Sequence, residues 1–295
     1  IGSQRCASTW LHRVMKEHPE ITLAPKEYRF WSNKVKTESL DSYCQLFTTA
    51  NPNSPTKFRG EVDPSYAVMR PQEIAILKEL IPQLKIVLVI RNPVDRLISH
   101  ITRQWTFYYV DKGASTSRNL FTLLRSVDSG LSYRFTDYHN IIENWSSFFG
   151  HENIHIELYE KIRNDPHEAI QRILAFLKAD SEFKFTEEIF SKKPNQSKIE
   201  EYEIPHLLKW YLSKKWLQQV YKLESSQNLN LSLWTEPMKE MSAEGKWYYY
   251  LVILIHYVYY VIPYRIFYKM TNLIRIQFRI MEIKNYIDNQ NIAES

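Results

Sequence analysis

The sequence predicts an α/β fold with a central parallel sheet flanked by helices. Two continuous apolar runs, KIVLVI at 85–90 and NIHIEL at 153–158, are typical of strands buried on both faces. A helical pattern follows each run, and strands that alternate with helices favour a parallel sheet. A further short strand is expected at 21–25 (ITLAP).

Apolar residues at helical spacing predict helices over 8–18, 72–80, 94–105 and 165–178. Ser8 or Thr9 lies near the cap of the first helix, and Pro19 ends it. Asp165 is expected to cap the last of these helices, with Pro166 at its first position.

Composition limits the classes of function. The chain has 295 residues and a formal net charge of +5. This mild excess suits an anionic ligand or a membrane surface and does not favour nucleic acid. Cys6 and Cys44 make no disulfide framework, so we expect a reducing, cytoplasmic location. No His/Cys spacing typical of a metal site is present. The chain starts without Met inside a motif, so a preceding strand is expected.

The C-terminal part differs from the rest. Residues 247–262 carry no charged side chain and are rich in aromatics. We divide the chain into a main domain, 1–240, and a helical appendage, 241–295. Segment 246–280 has three open interpretations: it spans a membrane, although 247–262 is slightly short for that, it lies on a membrane interface, or it is a helix buried against the domain. The sequence does not predict the oligomeric state.

The first basic loop, GSQRCASTW at 2–10, looks like a phosphate loop. A Walker A loop needs Gly-x4-Gly-Lys-Ser/Thr, and aligning Gly2 puts Ser8 in the lysine position. The basic residue is instead Arg5. An arginine followed by Ser8 and Thr9 at a helix start still predicts an anion site, although an ordinary capped helix remains the alternative.

The second basic loop is RNPVDRLIS at 91–99. Arg91 follows the strand KIVLVI directly, and ligands of open α/β sheets bind at the carboxyl ends of strands. We therefore expect Arg91 to meet an anion, bidentately if the geometry allows. Arg96 is expected at the surface or in a structural ion pair. Two such loops in one sheet suggest one ligand with two separated phosphates.

The pair of loops resembles the sulfotransferases that use 3′-phosphoadenosine-5′-phosphosulfate (PAPS). Their first loop reads Gly-x-x-Lys/Arg-x-Gly-Thr-Thr, and their second reads Arg-Asp/Asn-Pro-x-x-Arg-x-x-Ser. Segments PKEYRFW (25–31), GEVDPSYAV (60–68) and 130–177 are similar to the heparan sulfate and Golgi-type branch and its bacterial relatives. The resemblance covers about residues 1–200. Arg5 replaces the commoner lysine, Ala7 a glycine, and Arg29 and Trp31 a His and a Phe.

The resemblance implies a P-loop-like three-layer fold and sulfuryl transfer from PAPS to an acceptor hydroxyl, most simply of a glycan or glycolipid. Adenosine 3′,5′-bisphosphate would be the product, and no metal is implied. It assigns the 5′ side of the donor to Arg5, Cys6, Ala7, Ser8, Thr9 and Trp10, and the 3′-phosphate to Arg91 and Ser99. A late basic loop adds Asn195, Ser197 and Lys198.

In the same branch, the glutamate of the Lys-Glu element is the general base, which falls on Glu27. Lys26 would bind the sulfo group or orient Glu27. A histidine base, as in the cytosolic branch, would point to His100, but nothing around His100 resembles that branch. Two other classes stay open: a P-loop nucleotide kinase, and a non-catalytic protein peripheral to a membrane.

Overall fold

The computed structural model of the chain describes residues 1–48, 56–105, 107, 120–191, 203–263 and 266. Three of the predicted donor contacts, Asn195, Ser197 and Lys198, lie outside these residues. So does most of the predicted appendage beyond residue 263.

Four short strands and thirteen helices make up the described part of the chain. The strands are β1 (Ile21–Leu23), β2 (Phe58–Gly60), β3 (Ile86–Ile90) and β4 (Ile154–Leu158). The helices are α1 (Ser8–Lys16), α2 (Leu40–Gln45), α3 (Pro71–Leu80), α4 (Pro93–Trp105), α5 (Leu120–Val127), α6 (Gly130–Thr136), α7 (Tyr138–Phe149), α8 (Tyr159–Asn164), α9 (Pro166–Leu177), α10 (Glu187–Ser191), α11 (His206–Gln227), α12 (Ser232–Ala243) and α13 (Trp247–His256). Short 3₁₀ turns at 34–36, 64–68 and 151–153 and a π-helical turn at 257–261 complete the set.

The predicted strands and helices are confirmed to within one or two residues at most ends. Asp165 caps α9 as expected, since its carboxylate accepts the Glu168 amide at 2.9 Å and Pro166 opens the helix. α1 ends at Lys16, three residues before Pro19. Its N-cap is Ala7 rather than Ser8 or Thr9.

The sheet is parallel, as the two apolar runs predict. β3 pairs with β4 in register from Ile86–Ile154 to Ile90–Leu158. On the other side of β3, residues 1–3 also run parallel to it. There the Val89 amide donates to the Gly2 carbonyl at 2.7 Å, and the Ser3 amide to the Val89 carbonyl at 2.6 Å. β3 is thus a central strand, and the first basic loop leaves the sheet beside it.

Helices cover both faces of β3, which gives the three layers. Ile86, Leu88 and Ile90 point into a core built with α3, α4, α7, α11 and α12. Val87 and Val89 point into a second core with α1 and α9. This alternation is the period-two geometry of a strand. The large side chains of the first core include Leu97, Trp145, Trp216 and Trp234, all fully buried.

β1 and β2 form a separate parallel pair in register from Ile21–Phe58 to Leu23–Gly60. The segment after β2, residues 61–68, returns to the main sheet, where the Ala67 amide donates to the Ile1 carbonyl at 2.9 Å. This link joins the segment that follows β2 to the strand that leads into the first basic loop.

The C-terminal helices pack on the first core. Tyr249 of α13 is buried there, and Val252 and Ile253 pack against it. In the described part of the chain, no helix has the length and apolarity that crossing a bilayer requires. The boundary placed at residue 240 stays a prediction.

Candidate active site

The first basic loop turns tightly between the strand at 1–3 and α1. Arg5 and Ala7 have positive φ angles of 71° and 61°. Gly2 has φ 142°, and a Cβ at this position would lie 2.9 Å from the Ala67 Cβ. A side chain at Gly2 would therefore be strained in backbone and in space. Ala7 adopts a left-handed conformation that glycine adopts without penalty, which explains why the resembling family prefers glycine here.

The loop presents the N-terminus of α1. Leu11 is the first residue whose amide donates into the helix, to the Ala7 carbonyl at 2.9 Å. The amides of Ser8, Thr9 and Trp10 are thus the donors that a helix leaves without a backbone acceptor. The first turn of α1 holds no acidic side chain. Amides, hydroxyls and the helix dipole together favour an anion here.

The two basic loops meet, as expected for one shared ligand. The Arg5 Nε donates to the Ser99 Oγ at 3.1 Å, across 94 residues of sequence. The Arg91 guanidinium approaches the Arg5 carbonyl, with Nη1 3.5 Å from the oxygen. In the described structure, neither Arg5 nor Arg91 forms an ion pair with a carboxylate.

Positive charge therefore accumulates where the two loops meet, and in the described structure no carboxylate pairs with Arg5 or Arg91. Burial lowers the pKa of the Arg5 guanidinium, and the charges of Arg103 and Arg91 lower it further. Arginine nevertheless stays protonated in proteins. Like charges held together destabilise the empty site and are relieved by a bound anion. Arg103 lies four residues after Ser99, on the same face of α4; the sequence analysis missed it, although helical spacing marks it.

Arg91 is held in place by its neighbours while its side chain remains only partly satisfied. Its guanidinium carbon lies 4.4 Å from the centre of the Tyr159 ring. The Nε is buried without a hydrogen-bond partner. The Tyr138 hydroxyl donates to the Arg91 carbonyl at 2.8 Å. Tyr138 and Tyr159 are further site residues that the sequence did not reveal.

Asn92 explains the Asn-Pro of the second loop. Its side-chain oxygen accepts the Val94 amide at 2.9 Å and so starts α4. The backbone amide of Asn92 donates to the Glu160 carboxylate at 2.9 Å. These bonds fix the turn between β3 and α4, so Arg91 and Ser99 approach Arg5 from one rigid unit.

The Lys26–Glu27 element follows β1 and reaches the same region through backbone contacts. The Ala24 amide donates to the Gly60 carbonyl at 3.0 Å, and the Glu27 amide to the Val62 carbonyl at 3.4 Å. The neighbouring Pro64 carbonyl would lie 3.1 Å from a Cβ on Gly2. Glu27 is thus connected to the first loop through three residues, 62–64.

Glu27 sits between two cations. Lys26 Nζ pairs with its Oε1, and Arg29 Nη2 lies 3.4 Å from its Oε2. Burial acts to raise the pKa of Glu27, but the hydrogen bond from Lys26 and the charges of Lys26 and Arg29 outweigh it and lower the pKa. The carboxylate is therefore ionised and able to accept a proton, although these cations weaken its basicity.

Arg29 also faces a buried carboxylate. Its Nε lies 4.0 Å from the Asp63 Oδ2, an atom that is buried without a hydrogen-bond partner. The other oxygen of Asp63 accepts the Ser65 amide at 2.8 Å. Arg29, where a histidine is common in the resembling family, thus bridges Glu27 and Asp63.

The side chains of Cys6 and Trp10 do not face the proposed ligand; the Cys6 thiol donates within the loop, to the Gln4 carbonyl at 3.7 Å. Both side chains are buried in the second core. Burial raises the pKa of the Cys6 thiol to about 12, so it stays protonated.

Two basic side chains of α4, Arg96 and His100, are buried. The sequence predicts Arg96 at the surface or in a structural ion pair, and this prediction is wrong. Arg96 is fully buried. Its Nε donates to the Thr136 hydroxyl at 3.0 Å, and its Nη2 donates to the Ser132 carbonyl at 2.9 Å. Its guanidinium thus donates to polar groups of α6, which a helical pattern does not reveal. His100 is also buried, and burial, with the charges of Arg96 and Arg5, lowers its pKa to about 4.

Comparisons with known proteins agree with the geometry. The sulfotransferase domain family matches residues 1–202. The crystal structure of a sulfotransferase from Alicyclobacillus acidocaldarius superposes with a TM-score of 0.63 at 22% identity, covering 79% of this chain and 96% of that one. A mouse sulfotransferase, SULT7A1 complexed with PAP, overlaps with a TM-score of 0.40 at 16% identity over 64% of this chain and 60% of that one.

One curated relative is the membrane-associated sulfotransferase kil1 of Dictyostelium discoideum. It is 26% identical over 107 residues, which are 36% of this chain and 22% of the relative. The aligned part therefore spans about a fifth of that protein. The family match over residues 1–202, together with the three-layer fold and the two converging basic loops, shows that this chain belongs to the sulfotransferase domain family.

Proposed function

We propose that this sulfotransferase uses PAPS as its donor and an alcohol as its acceptor. One observation carries the proposal: Arg5 of the first loop contacts Ser99 of the second, with Arg91 beside them. A donor with phosphate groups at both its 5′ and 3′ positions requires two such anion sites. A donor with a single phosphate chain would leave the second cluster without a ligand.

The roles divide between the two loops. Arg5, the hydroxyls of Ser8 and Thr9 and the backbone of 6–10 hold the 5′-phosphosulfate. Arg91 and Ser99 hold the 3′-phosphate. Asn195, Ser197 and Lys198 are proposed to close over the nucleotide. Because Arg5 stays protonated, it acts by charge and by hydrogen bonds to the developing negative charge.

Glu27 is the proposed general base. The acceptor O–H gives its proton to the Glu27 carboxylate while the acceptor oxygen bonds to sulfur, and the bond from sulfur to the 5′-phosphate oxygen breaks. The products are the sulfated acceptor and adenosine 3′,5′-bisphosphate. Lys26 would leave Glu27 to contact the sulfo group, which raises the basicity of Glu27 as the site fills.

The acceptor is proposed to be a hydroxyl of a glycan or glycolipid. Arg29 and Trp31, next to Glu27, differ from the residues common in the family and would line its pocket. We also propose a cytoplasmic protein peripheral to a membrane. The membrane association of the D. discoideum relative supports the second part of this proposal. A kinase reading is weaker because Ser8 stands in the Walker lysine position and Arg91 directly follows β3.

Calorimetry with adenosine 3′,5′-bisphosphate, with ATP as the control nucleotide, tests the donor. Tighter binding of the bisphosphate is expected. A labelled-PAPS assay over glycan, lipid and steroid acceptors then identifies the acceptor class. Binding of ATP but not of the bisphosphate would refute the proposal, and binding without transfer to any acceptor would favour a non-catalytic role.

A further inference from the structure

Helix α13 is apolar on two opposite sides, and within the described part of the chain only one of them is covered. Its inner side carries Tyr249, Val252, Ile253 and His256, which are buried or pack on the first core. Its outer side stays exposed over helical spacing and continues into the π-helical turn. We call this outer side the apolar face; it consists of Trp247, Leu251, Leu254, Val258 and Tyr259.

The apolar face is unusual for a protein surface. Trp247 and Tyr259 are 78% and 81% exposed, and the residues between them include exposed leucines and a valine. Single exposed apolar side chains are normal, but a contiguous group marks a contact site for a protein or a membrane. A helix that is hydrophobic all round is normally buried on every side. The apolar face therefore has the character of a contact surface.

The inner side of α13 is fixed firmly to the domain. The His206 Nδ1 lies 3.0 Å from the Tyr249 hydroxyl. The Trp210 ring packs against the Tyr249 and Tyr250 rings, with centroids 5.4 and 5.0 Å apart. These contacts hold the start of α13 on the first half of α11, and they determine which side of the helix faces outward.

The end of α13 is fixed by a buried polar cluster at Asp128, in the turn between α5 and α6. The His256 Nε2 lies 2.9 Å from the Asp128 Oδ2, and both side chains are almost wholly buried. The Tyr211 hydroxyl donates to the same carboxylate at 2.9 Å, and the Lys215 ammonium pairs with its other oxygen. None of these residues belongs to the proposed donor site. These buried contacts, and not contacts at the donor site, therefore fix the orientation of α13.

Residue types and charge identify the occupant. Trp and Tyr are the side chains enriched where a bilayer meets water. From residue 247 to 281 the sequence contains no Asp or Glu, while Arg265, Lys269, Arg275 and Arg279 are basic. Glu244 precedes the face, but the sequence that follows it as far as residue 281 carries only positive charge, and an apolar aromatic surface followed by basic residues suits an anionic lipid surface.

We propose that the apolar face docks the protein on an anionic bilayer, lying in the interface without crossing it. The surface deepens the peripheral location proposed above and is independent of the sulfotransfer reaction. Burial of the aromatic side chains supplies the affinity, and basic residues supply the preference for anionic lipid. The buried contacts of Tyr249 and His256 keep the face directed outward.

The experiment is flotation of the full chain with vesicles of phosphatidylcholine alone or mixed with phosphatidylserine. The unmodified protein should float with the mixed vesicles. The double variant Trp247→Ser, Tyr259→Ser should lose about tenfold in partitioning, since about 1.4 kcal/mol of lost burial is tenfold. The matched control is Leu233→Ser. Leu233 is also exposed, at 64%, and lies in the first turn of α12. This turn follows the C-terminal end of α11, whereas Tyr249 and Tyr250 of α13 contact the N-terminal part of α11. The control should float like the unmodified protein.

Both exposed-site variants should keep the melting temperature of the unmodified protein and its binding of adenosine 3′,5′-bisphosphate, which separates this test from the donor proposal. Absence of flotation with mixed vesicles would overturn the docking surface, as would unchanged flotation of the double variant. Equal flotation with neutral vesicles would overturn the anionic preference. A dimer in sedimentation equilibrium that the double variant dissociates would assign the face to a second copy of the chain.

Discussion

Replacing Arg91 by Ala tests the idea that the two basic loops share one donor. Arg91 makes no ion pair with a carboxylate in the described structure, and its Nε is buried without a partner. Its free hydrogen-bonding capacity is thus available to an anion. The substitution should weaken binding of adenosine 3′,5′-bisphosphate and spare adenosine 5′-phosphate, which lacks the 3′-phosphate.

The magnitude follows from the contact that is lost. A hydrogen bond to a charged group contributes about 1.5–3 kcal/mol, and an arginine can offer a phosphate two parallel bonds. Part of the site is open to water, so we take about 3 kcal/mol for the pair, which corresponds to about 100-fold in Kd. Arg91→Lys keeps the charge but loses the planar fork, and it should cost about tenfold.

Calorimetry of both nucleotides with each variant measures these changes. Arg163→Ala is the matched control, because Arg163 is an exposed arginine on α8, the helix that carries Tyr159. It removes the same charge and should change neither affinity by more than about twofold. The empty Arg91→Ala protein should melt no earlier than the unmodified one, since Arg91 repels Arg5. Equal losses for the two nucleotides would refute the assignment of Arg91 to the 3′-phosphate.

Three further outcomes are expected. Glu27→Gln should bind adenosine 3′,5′-bisphosphate normally but lose about 100-fold or more in turnover, because it removes the general base. The control Glu17→Gln, at the exposed end of α1, should keep normal turnover. Near-normal turnover of Glu27→Gln would exclude Glu27 as the base. Lys26→Ala should raise the pKa of Glu27, because the hydrogen bond and the charge of Lys26 lower it. The acid limb of the pH profile of kcat/KM should therefore move to higher pH. An acid limb that does not move would mean that a group other than Glu27 titrates. Asp128→Asn should destabilise the fold by about 3 kcal/mol, measured by urea unfolding, because it leaves the Lys215 ammonium without its carboxylate. Burial opposes ionisation of Asp128, but its hydrogen bonds hold its pKa below the usual value. The stabilisation by Asp128 is therefore present above about pH 4 and is lost as the pH falls through the lowered pKa. The free energy of unfolding should fall over that pH range by more in the unmodified protein than in Asp128→Asn, and equal changes in the two proteins would contradict this role.

Several features could be predicted from local sequence because their causes are local. The β3 run is apolar on consecutive residues and rich in β-branched side chains, which is typical of a strand covered on both faces. The cap at Asp165 depends on residues 165–168 alone. The positions of Arg5 and Arg91 follow from the strand-to-helix boundaries. These observations already predict the parallel sheet and two anion-binding loops.

Other features depend on chain segments that are far apart in sequence. Nothing local shows that Arg96 is buried under α6, or that Asp63 lies within reach of Arg29 with one oxygen unpartnered. The lowered pKa of Glu27 likewise depends on the directions in which Lys26 and Arg29 point. A sequence pattern gives residue types and spacing, but it does not give the partner that each side chain meets.

By itself, the sequence determined the fold class, the two basic loops and the apolar character of residues 247–262. It left open whether that last segment is buried or exposed, because an apolar helix can satisfy either pattern. The tertiary structure decided that one side is anchored at Asp128 and Trp210 while the other is exposed. It also decided that Arg5 and Ser99 meet, because residues 1–3 and β3 pair side by side in one sheet and deliver both loops to the same edge.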